Sequence, residues 1–184
     1  MDKQSKKTIG LFIRYITLLI LGLGNLYIIY TILTPLTVKT LAAILSITMD
    51  PVIINTTLYT KGLIIQIIPA CVAGAAFYLL LFLILSTANI KPRTRAKAII
   101  TAVILLFVLN IFRLVLLSSI TNTLYFETIH WLFWHIISTA FVIIIWLTII
   151  KLYKIKSIPI YSDVKFLTGL IKPIKNTKRR KKNN

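Results

Sequence analysis

Three side chains in this sequence combine reactive chemistry with an apolar setting. They are Cys71 in "IIPACVAG", Arg113 in "VLLFVLNIFRLVLL" and His130 in "YFETIHWLFWHIIST". Cys71 is the only cysteine. A disulfide within the chain and a multi-thiolate metal site are therefore excluded, which leaves a packing thiol or a reactive one. Pro69 suits the first position of a helix, where its missing N–H would have had no partner, and this puts Cys71 in the opening turn. Unpaired amides and the positive end of a helix dipole favour a thiolate there. Gly74 and Ala75, three and four residues further on, would share the face of Cys71 and leave room for a substrate or a neighbouring helix.

An arginine deep within an apolar span costs somewhere between ~2.5 and 17 kcal/mol, so Arg113 must face a partner or a wet cavity. Asn110, one turn earlier, can hold the guanidinium from the same helix face; backbone carbonyls and Glu127 are the other candidate partners. Glu127 also precedes His130 by three residues and could orient or charge its ring. His135 lies about 140° from His130 on a helical wheel, so the two are poorly placed to share a metal. No cofactor and no metal is called for.

The elements that must position these groups are set by hydropathy. The chain has 184 residues, 58% of them hydrophobic, and a mean hydropathy of +0.88, a profile that a water-soluble globule of this size does not need. Apolar runs at Ile9 to Leu33, Pro69 to Ser86, Ala98 to Ile120 and Ile129 to Ile150 are close to the length that crosses a ~30 Å hydrocarbon core. The first run lacks the short core and small-residue cleavage site of a signal peptide, so it is read as a retained helix, with Arg14 snorkelling to the interface. The expected fold class is an all-α integral membrane protein of about four transmembrane helices, in a single domain over residues 1–156.

A formal charge of +18 comes from 22 Lys and Arg against 4 Asp and Glu. Most of these bases flank apolar runs, so they read as topology signals and not as a nucleic-acid surface. Lys3, Lys6 and Lys7 precede the first run, Lys91, Arg93, Arg95 and Lys97 join the second to the third, and a basic run follows the fourth. The positive-inside rule then puts both termini in the cytoplasm of a multi-pass cell-membrane protein. Residues 157–184, ending "KNTKRRKKNN", read as a largely disordered tail suited to anionic headgroups.

Residues 34–68 face outward on this topology. Pro35 opens the segment, "TVKTLAAILSITM" has the spacing of a short interfacial amphipathic helix, and "PVIINTTLYTKGLIIQII" reads as a hairpin-like lid around a Lys61-Gly62 turn. "NTT" at 55–57 also fits an N-glycosylation acceptor pattern. Trp131 and Trp134 read as an interfacial aromatic belt. Arg113 lies seven residues before Ile120, or about 10 Å below the outer boundary at 1.5 Å per residue. Topology thus brings Cys71, Arg113 and His130 to one depth beneath the lid. A thiolate that attacks a carbonyl, a cation that stabilises the oxyanion and an imidazole that moves protons suffice for acyl transfer.

The order and approximate spacing of "IIPACVAG", the basic loop "KPRTRAK", "NIFRL" and "IHWLFWH" followed by "STAFVIIIW" resemble the exosortase and archaeosortase family, particularly its small archaeal members, over residues 40–150. The resemblance implies Cys71 as nucleophile, Arg113 as the arginine of an N-x-x-R element and His130 as the histidine of the final span, with His135 competing for that place. It implies membrane-embedded cysteine transpeptidase or protease activity on exported proteins that end in a short motif, a spanning helix and a basic cluster, with a membrane lipid as a candidate acceptor. Two features depart from the family pattern. "VAG" follows Cys71 where many members carry a hydroxyl residue, and about four spans replace the seven or eight of larger relatives, which leaves room for a second copy of the chain to shelter the site. A non-enzymatic membrane scaffold, in which Arg113 binds a lipid phosphate or a partner carboxylate and Cys71 only packs, explains composition and topology equally well. A small transporter is weakened by the lack of paired Gly/Pro-broken helices.

Overall fold

The computed structural model describes residues 3–60, 62–121, 124–155, 157, 159–161 and 163–169. Helix α1 covers Lys3–Leu45, a three-stranded meander follows as β1 Val52–Ile54, β2 Thr57–Thr60 and β3 Leu63–Gln66, and the helices α2 Pro69–Val72, α3 Gly74–Leu85 and α4 Pro92–Ser119 come next. The last part is one continuous rod: α5 Phe126–Leu132, a π-helical turn Phe133–Ile137, and α6 Ser138–Leu152. Three helical stretches among the described residues are long and apolar enough to cross a membrane, Thr8–Leu45, Pro92–Ser119 and Phe126–Leu152. The fold is a helical bundle whose longest helices are compatible with a multi-pass membrane protein.

Each long helix sorts its side chains into an inner and an outer stripe. On α4 the outer stripe is Ile100, Ile104, Val108 and Phe112, all exposed, as a lipid-facing surface requires. The inner stripe is Ala98, Ala102, Leu106, Asn110, Arg113, Leu114 and Leu117, all buried. Ala98 and Ala102 let neighbouring backbones come close at one end, while the polar pair Asn110 and Arg113 occupies the other. Helix α3 touches α1, α4 and α6, so it is the central strut.

Two helix breaks fall where the sequence reading did not put them. In α1 the chain leaves helical geometry at Leu23–Leu26, with Gly24, Asn25 and Leu26 all at positive φ, and then continues as helix through Pro35 to Leu45. Gly and Asn are the residues that enter left-handed backbone at least cost, which explains the site of the break. Pro35 does not start a separate outward segment, and "TVKTLAAIL" continues the second half of α1 instead of forming its own interfacial helix. The second expected span is also interrupted: α2 has one turn, Ala73 is left-handed at φ 58°, and α3 then begins at Gly74. Helix α3 alone has 12 residues, about 18 Å of rise, too short to cross unaided.

The lid forms as expected and gains a strand. β2 pairs with β3 across the 61–62 turn, where Gly62 has φ 88°, and β1 pairs with β2 across a tight turn in which Asn55 has φ 56°. Lys61 lies outside the described residues. Leu58 is fully buried and Ile67 nearly so, which seats one face of the sheet on the bundle.

At the opposite end, Arg14 is enclosed. Its Nη1 donates to the carbonyls of Leu85 (2.9 Å) and Thr87 (3.1 Å), and its Nη2 pairs with Asp163 Oδ1 at 2.9 Å. Tyr15 Oη donates to the other Asp163 oxygen, and Arg95 Nη2 donates to Thr87 O. Asp163 is 3% exposed. The segment expected to be a largely disordered tail therefore includes a helical stretch over 163–169, anchored by buried Asp163, and Arg14 is ion-paired and half-buried instead of a free interfacial anchor. Residues 170–184 lie outside the described residues.

Candidate active site

The break at Ala73 organises the site. The carbonyls of Ala70 and Cys71 would accept amides from the next turn of a continuous helix, but helical bonding restarts only at Ala73 O. Orphaned carbonyls at a helix end need other donors. Helix α4 supplies them: Arg113 Nη2 donates to Ala70 O at 3.1 Å and Asn110 Nδ2 donates to Cys71 O at 2.9 Å. Spacing of three residues aims both side chains from α4 at the same turn.

Arg113 is 4% exposed. Its Nη1 donates to Ser138 Oγ at 2.8 Å, and Ser138 Oγ donates in turn to Phe133 O at 2.7 Å. Its Nε is buried without a partner. Among the described residues no carboxylate pairs with this guanidinium, since the one ion pair is Arg14–Asp163. The expected partners change accordingly. Asn110 bonds the Cys71 carbonyl and not the guanidinium, and Glu127 is exposed and pairs with neither Arg113 nor His130.

Cys71 is half-buried. Its amide donates to Ile68 O at 2.8 Å, which fixes it in the opening turn behind Pro69 as expected. The helix dipole that was to favour its thiolate is cut to one turn, so the positive charge near Cys71 is that of Arg113. The break at Ala73 also removes the expected i+3 and i+4 relation to Gly74 and Ala75. Gly74 instead lets Tyr30 approach, for a Cβ there would lie 2.6 Å from two ring carbons of Tyr30.

Cys71 and His130 line one cavity of about 230 Å³, roofed by β3 and walled by Leu114 and Leu117 of α4 and by Phe126 of α5. The Cys71 sulfur lies 4.0 Å from Gln66 O. His130 stacks on Phe126 at 5.5 Å between centroids and 9° between planes, which holds the ring at the mouth of the cavity in place of the expected Glu127 contact. Arg113 lines a different cavity, of about 360 Å³, on the far side of α2, with Ser138, Trp134 and Tyr30. The structure thus brings the thiol and imidazole to one space and puts the guanidinium behind the turn that carries the thiol.

Trp134 and Ser138 line the Arg113 cavity while His130 lines that of Cys71. A turn of i+5 bonding inserts one residue and rotates everything after it, and it lies between His130 and Ser138, which meets Arg113. His135 lies within this turn, its Nδ1 3.0 Å from Trp131 O, its ring 4.7 Å from both the Trp131 and Trp134 rings. It does not line the Cys71 cavity. From the sequence Ser138 is a neighbour of His130 at i+8; its bond to Arg113 is not legible there, because a serine in "HIISTAF" carries no sign of a π-turn.

No protein-family model, no curated protein and no solved structure matches this chain.

Proposed function

We propose that this protein is a membrane-embedded cysteine transpeptidase or protease of the exosortase and archaeosortase kind. It would act on exported proteins whose C-termini carry a motif, a spanning helix and a basic cluster, and pass the cleaved chain to a lipid or another acceptor. The observation that carries the reading is the shared cavity of Cys71 and His130 beneath a sheet, with an unneutralised cation buried against the Cys71 turn. In this reaction His130 takes the thiol proton, and the sulfur attacks a peptide carbonyl. The C–N bond breaks as the imidazolium returns the proton to the leaving amine, and an acceptor nucleophile or water then resolves the thioester. Arg113 and Asn110 are positioning residues: they bond the carbonyls of the Cys71 turn, and Arg113 lines the neighbouring cavity and not the one that Cys71 and His130 share, so it holds the turn and supplies charge.

The proposed topology keeps four crossings. α2 and α3 together run 17 residues from Pro69 to Leu85, about 25 Å, and make the second crossing despite the break. Both termini lie in the cytoplasm and the sheet lies outside.

The test is in vivo processing by Cys71→Ala, Cys71→Ser and His130→Ala proteins. Each accumulates to the normal level and leaves substrate uncut; normal processing by both Cys71 variants ends the reading. One observation favours a non-enzymatic scaffold as the second reading, namely that Arg113 clamps a broken helix from outside the cavity of Cys71 and His130. Under that reading Cys71 resists outward thiol reagents.

A further inference from the structure

The proposed site meets the free edge of a sheet. In the meander order β1-β2-β3, strand β3 has a partner on one side only. Ile67 N–H donates to Thr56 O at 2.9 Å, which makes 56 and 67 a hydrogen-bonded pair. Hydrogen-bonded and non-bonded pairs alternate along an antiparallel ladder. In the observed register, Leu58–Ile65 and Thr60–Leu63 are bonded, whereas Tyr59–Ile64 and Thr57–Gln66 are not. The amides and carbonyls of Ile64 and Gln66 therefore point away from β2, and no backbone group among the described residues bonds them.

The Cys71 cavity lies along this edge. Leu63, Ile64, Ile65 and Gln66 all line it. Successive strand residues point to opposite faces, so a space that touches all four runs beside the strand and not over one face. Of these outward groups, Gln66 O accepts the Cys71 thiol at 4.0 Å, a long and weak sulfur contact that a peptide amide can displace. The opposite wall is apolar, from Leu114, Leu117 and Phe126.

Taken with the reading above, on which this rests, the geometry points to β-strand addition as the mode of substrate capture. An extended peptide docks on β3 as a fourth strand, bonds Ile64 and Gln66 through its backbone, and thereby brings a carbonyl to Cys71. Unpaired edge groups in apolar surroundings favour a backbone partner, because only a strand supplies donors and acceptors at the matching repeat. Recognition is then largely independent of side chains along β3, apart from an apolar requirement where the peptide faces α4.

The test uses the full chain purified in detergent and two probes, a valine/threonine tetrapeptide vinyl sulfone and its twin with alternate amides N-methylated, with iodoacetamide as a small reagent. Strand addition predicts that the methylated twin labels Cys71 about tenfold or more slowly than the parent. Ile64→Pro is the matching change in the protein: it removes an outward N–H without touching a β2–β3 bond, a position where an edge strand accepts proline. It slows the parent peptide by a similar factor and leaves iodoacetamide labelling unchanged, while Ile64→Thr, which keeps the N–H, behaves as wild type. Equal labelling by both peptides, or full labelling of the Ile64→Pro protein by the parent, overturns strand addition and leaves the enzymatic reading standing. A thiol inert to all three reagents overturns both.

Discussion

Replacing Asn110 by alanine isolates the clamp on the Cys71 turn. The Asn110 amide is 3% exposed and donates to Cys71 O at 2.9 Å. No amide of the following turn reaches that carbonyl, because the helix is broken at Ala73. Asn110→Ala thus leaves a buried acceptor unpaired, at a cost of ~1–3 kcal/mol. At roughly 2–4 °C per kcal/mol for a chain of this size, the midpoint of thermal denaturation in detergent falls by about 2–12 °C. If the proposed reaction holds, turnover falls further than stability, since displacing its nucleophile by about 1 Å can cost 10²-fold. Arg113 grips the neighbouring carbonyl of Ala70, so the two clamps act on one turn. A double-mutant cycle of Asn110→Ala with Arg113→Leu, read by the same thermal scan, should show a coupling of about 0.5–3 kcal/mol. Strictly additive losses, or an Asn110→Ala protein with unchanged midpoint and unchanged Cys71 labelling, would refute the account of the turn.

The remaining predictions concern packing and the second cation. Ser138→Ala removes the acceptor of Arg113 Nη1 and should cost ~1.5–3 kcal/mol, the range for bonds to charged groups, by the same scan. Gly74→Ala drives a methyl into the Tyr30 ring and should cost ~1–3 kcal/mol, relieved in the Tyr30→Ala background, whereas Gly10→Ala, with nothing within 4 Å, should be neutral. Asp163→Asn breaks an ion pair whose side chains are 11% and 4% exposed and should cost about 3–5 kcal/mol. The paired change Arg14→Met with Asp163→Leu should recover part of that loss.

Hydropathy located the long helices because lipid-facing and core-facing residues are both apolar, and the runs at 98–120 and 129–150 coincide with α4 and with the α5–α6 rod. The lid was legible from turn chemistry at Gly62, and Asn55 marked the extra strand once its positive φ is seen. Gly24-Asn25 was a readable signal for the break in α1, but Pro35 drew attention away from it. A proline inside an apolar helix persists where neighbouring groups satisfy the freed carbonyl. The break at Ala73 left no trace, since alanine is the best helix former and the carbonyls freed by the break are held by donors 39 and 43 residues away in sequence, at Asn110 and Arg113. Cys71 and His130 could be brought together from topology alone. The displacement of Arg113 from their cavity could not, because it depends on that break and on the π-turn.

The pairing of Arg14 with Asp163 joins residues 149 positions apart. A ribosome delivers the N-terminal helix long before the carboxylate that neutralises it, whereas the Leu85 and Thr87 carbonyls that also accept from Arg14 are made in between. A chain truncated ahead of Asp163 therefore keeps acceptors for this guanidinium but lacks the charge that balances it.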